Sequence, residues 1–75
     1  MHFVWFSFVG YSAKNLVKIL KANDFYFKRS KGSHQIYHNI FSNKTVVVPM
    51  HGSKDMPKGT FYAILKQAGV DKSSI

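Results

Sequence analysis

Cysteine is absent from this chain of 75 residues, and acidic residues are scarce. Without cysteine there is no disulfide, no cysteine-based zinc site and no thiol nucleophile, which suits a reducing compartment and predicts a cytoplasmic protein. The carboxylate side chains are three aspartates at well separated positions, Asp24, Asp55 and Asp71. Because a two-metal centre needs clustered carboxylates, we expect neither a metal site nor another cofactor.

The sequence also lacks a hydrophobic run long enough to cross a membrane. Residues 1–10 are almost wholly apolar, but a bilayer takes about 20 such residues, and the cationic start of a signal peptide is missing. Three interpretations of this extension stay open: a strand added to the main sheet or to a partner chain, an interfacial anchor, or a segment with no role. Edge-strand pairing in other sheets favours the strand.

Basic residues are abundant, because 11 Lys and Arg against 3 acidic residues give a formal net charge of +8. With 45% hydrophobic and 16% aromatic residues, the chain is too apolar for a disordered basic tail. Its length allows one domain, which we place at residues 11–70, followed by a tail at residues 71–75. A globule this basic predicts a polyanionic partner: a nucleic acid, an acidic protein or an anionic membrane surface.

Two amphipathic helices are predicted, one at each end of the domain. Ser12 is a typical N-cap residue, and apolar residues at i, i+3 and i+4 follow it until Asn and Asp end the helix at residues 22–24. A turn-rich connection at residues 50–59 leads to the second helix, which ends at Gly69. The buried face of this second helix is predicted at Phe61, Ile64, Leu65 and Ala68.

Three strands are predicted between the helices, at residues 25–31, 33–39 and 45–49. Gly32 lies between the first and the second predicted strand, and this position predicts a tight hairpin turn. The resulting order α-β-β-β-α predicts an α+β fold in which two helices cover one face of a three-stranded antiparallel sheet.

Lysines recur along the first predicted helix at positions 14, 18 and 21, opposite its apolar stripe. Two interpretations stay open: a solvated helix face, or a ridge that contacts phosphates.

A basic cluster coincides with the predicted hairpin. It holds three cations, two hydroxyls, a glycine and a histidine within seven residues: Lys28-Arg29-Ser30-Lys31-Gly32-Ser33-His34. Cations and backbone N–H groups bind phosphate oxygens, and histidine transfers protons near neutral pH. Cleavage of RNA by its own 2′-hydroxyl needs such groups and no metal. The pattern alone leaves His34 open between a phosphate-binding or structural role and an acid–base role.

The cluster belongs to a longer pattern that resembles the HicA toxin family. Lys31-Gly32-Ser33-His34-Gln35-Ile36-Tyr37 is similar to the KGSHxxΦ box of that family, in which Φ is aromatic or aliphatic. Four more segments follow the family's order: Ser12-Ala13-Lys14-Asn15-Leu16, Val47-Val48-Pro49-Met50-His51, Pro57-Lys58-Gly59-Thr60 and Ile64-Leu65-Lys66-Gln67-Ala68-Gly69. One departure is Asn23-Asp24-Phe25, where the family usually has Asn-Gly-Phe; Asn and Asp also adopt left-handed backbone, so we expect the turn to persist.

The resemblance implies a double-stranded-RNA-binding-domain-like fold and the toxin of a type II toxin–antitoxin pair. It implies a metal-independent endoribonuclease that cleaves mRNA, and a HicB antitoxin that covers the active site. It also implies that His34 is catalytic, that Lys31, Gly32 and Ser33 form its motif, and that Arg29 matches a basic position before it.

Further residues are candidates around this site. His51 matches a family histidine, which implies either a role beside His34 or a loop histidine bonded to backbone. Lys54 and Lys58 flank the start of the second helix and are expected to bind backbone phosphate, and Lys28 belongs to the same nucleic-acid-binding set. Tyr37 is expected to pack against the helices rather than stack on a base.

Two alternative functions are also compatible with the sequence. One is a non-catalytic RNA-binding module on the same fold, and the other is a membrane-active or protein-docking peptide driven by residues 1–10. A homo-oligomer is possible.

Overall fold

The computed structural model describes residues 11–50 and 55–70. Within them the elements are α1 (Ala13–Ala22), β1 (Phe25–Lys31), β2 (His34–Asn39), β3 (Lys44–Pro49) and α2 (Lys58–Ala68). The predicted α-β-β-β-α order is therefore confirmed. The predictions for the N-terminal extension, His51, Lys54 and the C-terminal tail concern residues outside these ranges.

Local sequence signals determine where α1 begins and ends. The Ser12 hydroxyl accepts a hydrogen bond from the Asn15 backbone N–H at 3.1 Å, which is the N-cap interaction that the sequence predicts. After the helix, Asp24 adopts left-handed backbone with φ of 71°. The predicted turn thus persists with aspartate in a conformation that glycine adopts more readily.

The three strands form one antiparallel sheet in the order β1-β2-β3. Gly32, with φ of 61°, lies in the turn that joins β1 to β2. Lys31 is paired with His34 across this hairpin, and His34 is paired with Pro49 of β3. The strands β2 and β3 begin at His34 and Lys44, each one residue from the predicted start.

Both helices lie on the same face of the sheet. Tyr37 and Val46 are adjacent on β2 and β3 and are 3% and 1% exposed, whereas Val47, which points the opposite way, is 46% exposed. The buried apolar core combines this inner face with the helices and consists of Ala13, Leu16, Leu20, Phe25, Tyr37, Val46, Val48, Met56, Phe61, Ile64, Leu65, Ala68 and Val70. The predicted packing of Tyr37 against the helices is confirmed.

The second helix starts earlier than the sequence predicted. The expected connection extended to residue 59, but α2 begins at Lys58 and includes Gly59 in its first turn. Pro57 immediately precedes the helix, and its carbonyl oxygen accepts from the Phe61 N–H at 3.0 Å. Proline suits this position because the first N–H groups of a helix have no intrahelical partner. Gly69 ends the helix with φ of 77°, as predicted.

Candidate nucleic-acid interface

The hairpin between β1 and β2 brings the basic cluster and His34 together. Gly32 has the positive φ that this turn requires, and a Cβ added there would meet no atom within 4 Å. The Ser33 carbonyl oxygen accepts a hydrogen bond from the Met50 N–H at 2.8 Å, which extends the contact between β2 and the end of β3. His34 is thus paired with β1 on one side and with β3 on the other. Gly32, Ser33 and His34 nevertheless remain exposed.

A β-bulge in β1 decides which side chains accompany His34. Phe27 is paired with the inward-facing Tyr37, but Arg29 is paired with Ile36, so the register shifts by one residue at Lys28. Without the bulge, alternation would direct Arg29 towards the helices. With it, Arg29 lies on the face of the sheet that neither α1 nor α2 covers, which we call the helix-free face.

Two cations therefore share the helix-free face with His34. Lys31 is directly opposite His34 across the hairpin, a position at which Cβ atoms are about 4.5–5.5 Å apart. Arg29 is two residues before Lys31 and diagonal to His34, where the separation is roughly 7–8 Å. All three side chains are exposed, so each is accessible to a phosphate from solvent.

The remaining candidate residues are not equally close to His34. Lys28 is the bulged residue and is exposed in the middle of β1. Lys58 is exposed at the start of α2 and therefore lies outside the sheet that carries His34. His38 lies on the same face as His34, but its Nδ1 is 2.7 Å from the Thr45 hydroxyl and its ring packs edge-on against Tyr26. Among the described residues, no three histidine or carboxylate side chains come together as a metal site.

A groove that the sequence did not predict lies on the other face, between α1 and the sheet. It has a volume of about 450 Å³ and is lined by Lys14, Val17, Lys18, Lys21, Gln35, Tyr37 and Met50. The Tyr37 hydroxyl donates to Gln35 Oε1 at 2.8 Å, and burial raises the pKa of the Tyr37 hydroxyl. The lysine spacing was the one sequence signal for this groove, because its shape depends on how α1 packs over the sheet.

The order of these elements and the basic hairpin can be compared with known proteins. The family model described as the HicA toxin of bacterial toxin–antitoxin matches residues 13–70. The chain belongs to the HicA toxin family. No match was found among curated proteins.

Because the chain belongs to the HicA family, it is the toxin component of a toxin–antitoxin system. Membership of this family also implies a cognate antitoxin. The match includes both helices, all three strands and the hairpin with His34. Neither helix in residues 11–50 and 55–70 has the length and apolar character that crossing a membrane requires.

Proposed function

We propose that this HicA-family chain is an endoribonuclease that cleaves mRNA in the cytoplasm without a metal ion, and that His34 is its catalytic histidine. The observation that carries the proposal is the placement of Lys31 and Arg29 beside His34 on the helix-free face. The KGSH box on a chain of net charge +8 supports it, and so does the toxin family.

The chemistry uses the RNA's own 2′-hydroxyl as the nucleophile. The hydroxyl oxygen attacks the adjacent phosphorus while a base removes its proton, and the bond from phosphorus to the 5′-oxygen breaks. The products are a 2′,3′-cyclic phosphate and a 5′-hydroxyl that has gained a proton. His34 acts as the base or the acid, and Lys31 and Arg29 stabilise the negative charge that develops on the phosphate oxygens.

Other residues extend the RNA-binding surface in this proposal. Lys28 and the backbone of Gly32 and Ser33 hold phosphates next to the scissile one. Lys54 and Lys58 bind a more distant part of the RNA backbone, and His51 supplies the second proton transfer. The antitoxin is of the HicB type and covers His34 and its neighbouring cations.

The test is cleavage of RNA by the full chain in EDTA, with the ends of the products identified. We expect cyclic phosphate ends, and we expect His34→Ala to lose cleavage by about 100-fold or more while keeping its fold. His38→Ala is the matched control, because it removes a histidine on the same face of β2 and should keep most of the activity.

Two results would contradict the proposal. Full cleavage by His34→Ala would remove this histidine from the mechanism. RNA binding that falls with salt, without cleavage at any enzyme excess, would instead support the non-catalytic RNA-binding module. Loss of activity in His51→Ala, with the fold retained, would support the role of His51.

A further inference from the structure

The groove between α1 and the sheet lies near the hairpin, and the proposed reaction does not use it. Its volume of about 450 Å³ falls within the roughly 300–1,000 Å³ typical of ligand clefts. Helix α1 forms one wall, and residues of β2 together with Met50, which directly follows β3, form the rest.

Among the residues that the structure describes, the charged side chains that line the groove are all positive. The charged residues that line it are Lys14, Lys18 and Lys21, which are all exposed. With Val17 they occupy positions i, i+3, i+4 and i+7, so they lie along one side of α1. Like charges at these spacings repel each other. An anion bound in the groove would relieve that repulsion, which indicates an anionic ligand.

The floor of the groove holds an amide whose orientation is fixed. Gln35 is half-buried, and its Oε1 accepts the hydrogen bond from the Tyr37 hydroxyl. This bond leaves the two N–H groups of Nε2 and one lone pair on Oε1 for a ligand. A donor beside an acceptor is the pattern by which glutamine recognises the edge of a nucleobase.

The groove is close to the proposed reaction site along the chain. Gln35 directly follows His34, and Met50 is bonded to the Ser33 carbonyl. His34 and Gln35 point to opposite faces of the sheet, but His34 is the first residue of β2. Among the described residues, the hairpin turn at residues 32–33 and Met50 lie beyond it. A single strand of RNA that passes around this end would contact both faces.

We infer that the groove binds a nucleotide of the RNA that neighbours the scissile phosphate, with Gln35 as a specificity-determining residue. The lysines of α1 contact the phosphates of this segment, and the Gln35 amide hydrogen-bonds the base edge. The inference rests on the proposed function for the location of the scissile phosphate, but the binding itself can be measured without cleavage.

The first experiment measures the affinity for short labelled RNAs, oligo(A), oligo(C) and oligo(U), in the full chain carrying His34→Ala. Lys18→Ala should reduce the slope of log affinity against log salt by about 0.7. Lys66→Ala is the control, because it removes the same charge from an exposed position in the last turn of α2. It should change the slope by much less.

Gln35→Leu should weaken binding roughly 3- to 10-fold without changing the salt slope, since it removes hydrogen bonds but no charge. It should also reduce the difference in affinity among the three RNAs. Gln67→Leu, at an exposed position on α2, is the matched control and should leave both unchanged. Gln35→Glu keeps the side-chain shape and the acceptor for Tyr37, and should weaken binding more than leucine does.

The second measurement is the shift of backbone and Gln35 side-chain amide NMR signals when RNA is added, with a poly-glutamate peptide as the alternative ligand. Shifts at Gln35, Tyr37 and Lys18 with RNA support the inference. Shifts confined to the hairpin, equal effects of Lys18→Ala and Lys66→Ala, or a groove response to poly-glutamate alone would overturn it. If these signals respond to RNA but the wild type never cleaves, the inference stands and the proposed catalysis fails.

Discussion

The side chain of Asn39 joins two turns at the end of the sheet away from His34. Its Nδ2 donates to the Asn23 carbonyl oxygen at 3.1 Å, in the turn after α1. Its Oδ1 accepts from the backbone N–H groups of Phe41 at 2.8 Å and Ser42 at 3.1 Å, in the turn between β2 and β3. Asn39 is 8% exposed. We therefore predict that Asn39→Ala strongly destabilises the fold.

The magnitude follows from the three lost hydrogen bonds. Each is worth about 0.5–1.5 kcal/mol net, which gives an upper figure of roughly 4.5 kcal/mol. The turn is open to water, since Phe41 is 82% exposed. In the variant, the backbone N–H groups of Phe41 and Ser42 can therefore donate hydrogen bonds to water, which recovers part of the lost free energy. We expect the free energy of unfolding to fall by about 2 kcal/mol, and Tm by roughly 8–16 °C for a domain of this size.

Urea unfolding followed by circular dichroism measures this loss. Asn39→Asp keeps both acceptor bonds, but it loses the donation to Asn23 and places a carboxylate oxygen against that carbonyl oxygen. It should therefore lose at least about 1 kcal/mol. Ser42→Ala keeps the backbone N–H and should stay within roughly 0.5 kcal/mol of the wild type. A loss below 0.5 kcal/mol for Asn39→Ala would refute the reasoning.

Three further predictions concern turns and pH. Asp24→Gly should stabilise the fold by up to about 1 kcal/mol in urea unfolding, because Asp24 has φ of 71°; a loss of stability would contradict this. Gly69→Ala should destabilise it by about 1–2 kcal/mol, since left-handed strain remains after the Lys44 Nζ, 2.9 Å from the added Cβ, moves away. Burial raises the pKa of Tyr37; since the folded state holds this proton longer, unfolding free energy should fall as pH rises above about 10, less steeply in Tyr37→Phe.

The sequence was sufficient for features that depend on neighbouring residues. Ser12 predicts the start of α1, and the glycine between two alternating segments predicts the hairpin. The left-handed turn at Asp24 was also expected, because aspartate tolerates that conformation. For α2, the predicted start is wrong: glycine at position 59 indicates a connection, but the helix already begins at Lys58, directly after Pro57.

The bulge at Lys28 was not predictable in the same way. It is defined by the pairing of β1 with β2, which places Phe27 opposite Tyr37 and Arg29 opposite Ile36. A sequence alone gives each strand its alternation but not the register between strands. Proximity in sequence suggested that the cations lie near His34, but the face that each side chain occupies became clear only from the sheet. The groove over Gln35 depends on packing for the same reason.

A bound polyanion, as we propose for the groove, would offset the repulsion among the lysines of α1. Polar uncharged side chains would also keep this face in water, without repulsion. Two close like-charged pairs, Lys14 with Lys18 and Lys18 with Lys21, destabilise the helix by about 0.4–1 kcal/mol together. A ligand present at 100 times its Kd stabilises the fold by about 2.7 kcal/mol. Because this gain exceeds the repulsion, a basic surface that weakens the free domain still favours the fold once RNA or an acidic antitoxin is bound.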